Sequence, residues 1–297
     1  MGPLENDMMI DLGKYANYHG WERIYNYKQA DLIITNGFYT DDILEWSNKN
    51  SIARIKRMDG IYYQNTFEYK NVIYNKAAKE SNHVIFISHY SKDSLNILYK
   101  FVPNNYTIVL NNVDDAIFYP IKHKNSNFSL ITSASNWSRE TKRFKNLLDL
   151  SKIIDKDDVI NVIGRCDYDV PINMIKHGYI EDQHRMNNII ANSDIFVSLF
   201  FRDAGSKVTC QGVNCKLPIL YSDTGGLPEL VKTNGIAIRE KDNLGFLDTI
   251  PELDIIDMLN KYKLIKKYYK DIVNNYKKRE KYQDTLSEYF KIMNIYV

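Results

Sequence analysis

Short apolar runs alternate with amphipathic segments along most of the chain. The runs are four to six residues long, rich in Ile, Val and Leu, and are typical of buried strands. In the first part of the chain they predict strands at residues 30–35, 52–56, 83–87 and 106–110. Helical spacing between them predicts helices at 41–47, 67–79 and 92–99, with one further amphipathic helix before residue 28. Strands that alternate with helices indicate an α/β fold with a parallel sheet.

The alternation stops at Asn111–Pro120 (NNVDDAIFYP) and at the polar stretch 122–127, then begins again. New strands are predicted at 128–133, 159–163 and 194–199, with a short segment near Gly178 and a helix at 182–192. Residues 254–297 are rich in Lys and Tyr, and their apolar positions predict helices. We therefore predict an N-terminal domain at 1-121 and a C-terminal domain at 122-297.

Two loops in the stretch 200–231 each lead from a strand into a helix. The first is Asp203–Ser206 (DAGS), and the second is Asp223–Gly226 (DTGG). At the carboxyl ends of neighbouring parallel strands, such loops form a ligand crevice. Helix N-termini there present free backbone N–H groups, which favour a phosphate. This pattern predicts a site for a phosphorylated ligand.

Composition narrows the function classes. The net charge of +2 over 297 residues argues against a nucleic-acid partner that is bound through bulk charge. The three cysteines (Cys166, Cys210, Cys215) lack zinc-type spacing and are interpreted as reduced thiols. The first residues lack a secretory leader and no apolar run approaches the length of a membrane span, so a cytoplasmic protein without a transmembrane segment is expected.

Four blocks of this chain resemble the GT-B glycosyltransferases, and in particular the retaining family GT4. Asn111–Pro120 is similar to an N-G-V-D-x-x-x-F-x-P signature, and Ser193–Ser198 to an A-D-V-F-V strand. Asn136-Trp137-Ser138 with Lys142 looks like the loop that places a basic residue on the donor diphosphate. Asp203–Gln211 falls on an E-x7-E motif, with Asp and Gln in place of the two glutamates, and is followed by the glycine loop. The resemblance implies two Rossmann-like domains with parallel sheets facing a central cleft, and C-terminal helices that cross back.

The resemblance also implies roles for individual residues. Asp203 would bind the transferred sugar and Gln211 the ribose, while a helix-capping acid and a surface glutamine are the plain alternatives. Lys142 and Arg139 would stabilise the leaving diphosphate, although Arg143 or Lys145 could replace them and the run is also typical of a solvated helix start. Asp59, in the R-x-D-G segment after the second strand, is the candidate polar group on the sugar or acceptor side, or else a simple turn. The remaining candidate donor-binding residues are Arg165, Gly205, Ser206, Lys207, Thr224, Gly225 and Gly226.

These expectations describe a retaining, metal-independent glycosyltransferase that moves a sugar from a UDP- or GDP-sugar to a glycan or other hydroxyl acceptor. No metal ligand set is visible, and the only co-substrate expected is the nucleotide-sugar. Two alternatives stay open. A non-catalytic nucleotide-sugar or glycan-binding protein would agree with the changed glutamate pair. A sugar-nucleotide epimerase would convert the donor without an acceptor.

Overall fold

The computed structural model describes residues 7–121, 127–240, 245–247 and 249–297. The chain divides into two compact units, Met1–Leu110 with Glu280–Val297, and Asn111–Arg279. The predicted boundary after residue 121 lies within the second unit, and most of the polar stretch 122–127 lies outside the described residues.

The first unit is built on a four-stranded parallel sheet in the order β1-β2-β3-β4. Its strands are β1 Leu32–Thr35, β2 Ala53–Met58, β3 His83–Phe86 and β4 Tyr106–Ile108. Its helices are α1 Asp7–Tyr18, α2 Asp41–Lys49, α3 Glu68–Lys79 and α4 His89–Tyr99, together with the last helix of the chain, Tyr282–Asn294.

The second unit contains a six-stranded parallel sheet. Its strands are β5 Ser129–Asn136, β6 Val159–Arg165, β7 Met174–Gly178, β8 Ile195–Ser198, β9 Ile219–Ser222 and β10 Gly235–Ile238, in the order β10-β9-β8-β5-β6-β7. Its helices are α5 Phe144–Ile153, α6 Gln183–Ala191, α7 Lys207–Asn214, α8 Leu227–Val231, α9 Ile255–Lys267 and α10 Tyr269–Asn274. The last helix, Tyr282–Asn294, is therefore α11. The predicted α/β fold with parallel sheets and C-terminal helices is confirmed.

Alternating side chains of β2 and β3 form two separate cores in the first unit. Ile55 and Ile85 pack with Met8 of α1 and Leu286 of α11. The strand neighbours of Ile85 belong to the opposite core, where Met58, Val84, Phe86 and Leu95 pack together. Successive strand residues point to opposite faces, so a strand with both faces covered is a continuous apolar run. This explains why the sequence 83–87 shows no polar alternation.

Several predicted boundaries need correction. Arg57 and Met58 are the last residues of β2 and not part of a turn, because both pair with β3. Helix α4 begins three residues earlier than residue 92, since Ser88 caps it by accepting the Ser91 N–H. Thr40 occupies the N-cap position of α2, but its hydroxyl donates to Asp42 and makes no capping bond to the backbone. Strand β10 was not predicted at all.

No helix in the described parts of the chain is both long and apolar enough to cross a lipid bilayer.

Candidate functional site

The strand order of the second sheet creates a switch point between β5 and β8. From β5 the chain builds outward through β6 and β7 on one side, and from β8 through β9 and β10 on the other. The connections therefore diverge above the carboxyl ends of these two adjacent strands. Ligands of open α/β sheets bind at this place. The loops that leave it, 137–143 and 199–206, carry the predicted basic run and Asp203.

Lys142 and Asp203 form an ion pair across these two loops. Lys142 Nζ lies 2.9 Å from Asp203 Oδ2, and the two side chains are 17% and 22% exposed. Nζ also lies 4.1 Å from the centroid of the Phe200 ring. The loops are joined by the main chain, because the Phe201 N–H donates to Thr141 O at 2.9 Å. The structure therefore brings together the predicted diphosphate-binding cation and the predicted sugar-binding acid.

The glycine loop after β9 lies directly against Asp203. The Gly226 N–H donates to the Asp203 carbonyl at 2.9 Å. Gly225 has a φ of +68°, and a Cβ on it would lie 2.5 Å from the Asp203 carbonyl oxygen. A side chain cannot fit there. Thr224 is buried between them and the end of β9. Gly225 therefore allows a close approach between two loops of the protein, a role that the sequence alone did not indicate.

The N-terminus of α7 is closed by local hydrogen bonds. The Ser206 hydroxyl caps the helix by accepting the Thr209 N–H at 3.3 Å. The Gly205 N–H donates to Asp203 Oδ1 at 3.3 Å, which stabilises the loop, whereas the helix-capping role that was the alternative for Asp203 belongs to Ser206. One turn further, Gln211 Oε1 is buried and accepts no hydrogen bond within the described chain. Such an acceptor costs free energy unless something donates to it. Helix α8 has only five residues, so its terminus contributes a weaker dipole than predicted.

Arg143 is engaged elsewhere and cannot replace Lys142. Its guanidinium forms a two-bond ion pair with Glu240, and the two side chains are 2% and 6% exposed. Arg143 also lies over the Phe201 ring, with Cζ 4.7 Å from the centroid. Separating this buried pair would be costly. Of the two adjacent cations, Arg143 is therefore held by Glu240 and Lys142 by Asp203.

The other predicted cations lie at the surface of the second unit. Arg139 is exposed immediately before a 3-10 turn, Glu140–Lys142. Arg165 is exposed at the end of β6, and its Cζ lies 4.8 Å from the centroid of the Tyr179 ring. Lys207 is half-buried as the first residue of α7, and Lys145 is exposed on α5. The ion pair with Asp203 is formed by Lys142.

Asp59 belongs to the first unit, at the carboxyl end of β2. Its carboxylate forms an ion pair with Arg57, whose side chain is 1% exposed while that of Asp59 is 46% exposed. Arg57 Nε in turn donates to the hydroxyl of Tyr289 on α11 at 3.0 Å. The exposed acid is thus held by a buried cation that the last helix of the chain helps to fix.

Lys56 is not among the functional candidates that the sequence indicated. Its side chain is fully buried, and Nζ donates to the carbonyls of Asn36 and Arg57 at 2.6 and 2.7 Å. Nζ also lies 5.0 Å from the centroid of the Tyr74 ring. Desolvation by burial lowers the pKa of Lys56 to about 7; Asp59 raises it and Arg57 lowers it further. The sequence gives no distinguishing signal, because Lys56 is one of three basic residues in the six-residue strand ARIKRM.

The lowered pKa of Lys56 predicts that stability rises with pH above neutrality. Below about pH 7 both states hold the proton, but between there and about pH 10.4 only the unfolded chain does. The free energy of unfolding should therefore increase by up to ~1.4 kcal/mol per pH unit. Cys215, whose pKa burial raises to about 12, acts in the opposite sense. The variant Lys56→Met is the reference, because it lacks the amine but keeps the contribution of Cys215.

Urea unfolding of both proteins at several pH values between about 7.5 and 9 measures this difference. We expect the wild-type slope to exceed that of Lys56→Met by roughly 1 kcal/mol per pH unit. Parallel curves would mean that Lys56 keeps its proton in the folded state.

The comparisons with known proteins establish the fold. No model of a known protein family and no curated protein sequence matches this chain. Among solved structures, sucrose-phosphate synthase from Thermosynechococcus elongatus superposes with a TM-score of 0.69 at 12% identity, over 99% of this chain and 81% of that one. HepE from Anabaena in complex with UDP gives 0.67 at 12%, over 95% and 81%. A glycosyltransferase from Rickettsia africae gives 0.62 at 17%, over 100% and 83%. At these identities, the likeness shows that the chain shares the α/β fold with two parallel sheets of GT-B glycosyltransferases.

Proposed function

We propose that the protein is a retaining glycosyltransferase that binds a nucleotide-sugar at the carboxyl edge of the second sheet. The observation that carries this proposal is the Lys142–Asp203 pair at the switch point between β5 and β8. A cation and a carboxylate at this position match the two parts of a nucleotide-sugar. The cation is suited to the diphosphate and the carboxylate to the sugar hydroxyls. The Anabaena protein of the same fold was solved with UDP and with UDP-glucose.

The reaction would need stabilisation of the charge that develops on the leaving diphosphate. In the second unit, Lys142 is the cation best placed for this, with Arg139, Arg165 and Lys207 as further positive charges. In the structure the ammonium of Lys142 contacts Asp203. On donor binding, the diphosphate would replace the Asp203 carboxylate as the partner of Lys142. Asp203 would then be released to accept hydrogen bonds from the sugar. Gln211 would use its buried Oε1 as an acceptor for a ribose hydroxyl.

The second candidate is a protein that binds a nucleotide-sugar but does not transfer it. The closed ion pair favours this candidate, because Lys142 and Asp203 satisfy each other without any ligand. Both candidates share the donor site and differ only in turnover.

A screen of nucleotides followed by a turnover assay tests the proposal. A nucleoside diphosphate that binds only the folded state at about 100 times its dissociation constant adds ~2.7 kcal/mol to the free energy of unfolding. We expect UDP or GDP to raise the melting temperature by several degrees at such concentrations. Release of nucleotide from the matching nucleotide-sugar, with acceptor sugars present, then separates transfer from binding. Absence of binding by any nucleoside diphosphate would overturn the donor site itself.

A further inference from the structure

The loop after β2 in the first unit is held in one conformation by a buried side chain. Asn71 of α3 is fully buried, and its Oδ1 accepts the Tyr62 N–H at 2.7 Å. Its Nδ2 donates to the Tyr62 carbonyl at 2.6 Å. One amide thus satisfies both backbone groups of Tyr62, in the way that a neighbouring strand would. The backbone of Tyr62 is thereby anchored to α3.

The Tyr62 ring lies on α3 and remains 37% exposed. It stacks on Tyr74, with centroids 6.2 Å apart and planes 17° apart, and lies 5.6 Å from Phe67. Lys70 Nζ is 4.9 Å from the Tyr62 centroid. Because Lys70 and Tyr74 are four residues apart on the helix, they are neighbours on one helix face, and the Tyr62 ring rests on both. Its exposed part forms an aromatic surface beyond the carboxyl end of β2.

A fixed carboxylate belongs to the same region. Asp59 precedes Tyr62 by three residues, and its charge is one of the causes that raise the pKa of Tyr74, after burial and the neighbouring Tyr62. Arg57 holds one carboxylate oxygen of Asp59, while the side chain keeps 46% of its surface exposed. The buried ammonium of Lys56 bonds the carbonyls at the ends of β1 and β2 and packs on Tyr74. The acid and the ring are therefore supported by one buried polar framework.

We propose that Asp59 and Tyr62 form a binding subsite for one pyranose ring of the acceptor, which is a glycan. The inference rests on the proposed function, since it names the chemical class of the acceptor. A pyranose has a flat face of C–H groups, which would bury apolar surface against the Tyr62 ring. Its hydroxyls are donors, which the Asp59 carboxylate accepts. An acidic group next to Asp59 would be repelled, so the part of the sugar that contacts this carboxylate is uncharged.

The test uses simple sugars and the full-length protein. Methyl glycosides of glucose, galactose, mannose and N-acetylglucosamine are titrated up to roughly 50 mM, with binding followed by saturation-transfer NMR. At least one should bind to the wild type through its ring C–H protons. Tyr62→Ala should weaken that binding by about tenfold, and Asp59→Asn by at least about fivefold. Tyr62→Phe keeps the aromatic surface and should stay within about twofold of the wild type.

Two controls make the outcome decisive. Tyr25→Ala removes an exposed ring of another segment, 80% exposed, and should leave sugar binding unchanged. Binding of UDP and GDP by each variant reports separately on the second unit. If the wild type binds nucleotide while no methyl glycoside binds, or while Tyr62→Ala binds sugar as well as the wild type, the acceptor subsite is wrong and the donor proposal stands. If sugar binding follows Tyr62 but no nucleotide binds, the proposed transferase is wrong.

Discussion

Substitution of Gly225 by alanine is expected to destabilise the protein by about 3 kcal/mol and to weaken nucleoside diphosphate binding at least ~10-fold. The new Cβ would lie 2.5 Å from the Asp203 carbonyl oxygen and 2.8 Å from the Asp203 nitrogen. Both obstacles are backbone atoms, so the loop after β8 must move to make room. That displacement separates Asp203 from Lys142, and it breaks the Gly226–Asp203 hydrogen bond. The effect therefore combines lost stability with a distorted site.

Gly178→Ala is the matched control. Gly178 has a φ of +71°, nearly the same as the +68° of Gly225, but a Cβ there meets no atom within 4 Å. Its substitution should cost only the strain of the left-handed conformation, about 1 kcal/mol, and leave nucleotide binding unchanged. Urea unfolding and nucleotide titration of both variants measure the difference. Equal losses of stability would mean that backbone strain, and not contact with the Asp203 loop, explains why residue 225 is glycine.

The sequence predicted the elements around Asp203 well, because their signals are local. Short apolar runs indicated the strands β8 and β9. Polar residues with glycine indicated the loops that follow these strands. The adjacency of the two loops also followed, because consecutive strands of a parallel sheet are usually neighbours. Strand β10 was missed, since Gly235–Ile238 is short and carries a glycine that lies against the Ile219 carbonyl.

Partners that are distant in the sequence could not be predicted. Arg143 and Lys142 are adjacent cations of one run, yet one pairs with Glu240 and the other with Asp203. This difference depends on the local backbone, where Arg143 adopts a φ of +52° at the start of α5. The burial of Lys56 likewise depends on two carbonyls, one from Asn36 just after β1 and one from Arg57 in β2. Tertiary packing determines which partner each charged side chain finds, and neither periodicity nor residue type predicts that packing.

Removal of the Lys142 ammonium is expected to weaken binding of UDP or GDP by at least ~1.5 kcal/mol, more than tenfold. Lys142→Ala removes a cation from the diphosphate and also leaves the Asp203 charge without its partner at 2.9 Å. The unpaired carboxylate should then repel the ligand. Lys145→Ala, an exposed lysine of the same run, is the control and should remain within about twofold of the wild type.

The companion variant Asp203→Asn separates the two contributions. It frees Lys142, so binding of the nucleoside diphosphate should be as tight as in the wild type or tighter, whereas sugar transfer should fall because the acid is gone. In the double variant Lys142→Ala/Asp203→Asn, diphosphate binding should be stronger than in Lys142→Ala alone, since no unpaired charge remains. Isothermal titration of the four proteins with UDP and GDP gives this cycle. Additive losses, or a larger effect of Lys145→Ala than of Lys142→Ala, would contradict a diphosphate site in which the ligand replaces Asp203 as the partner of Lys142.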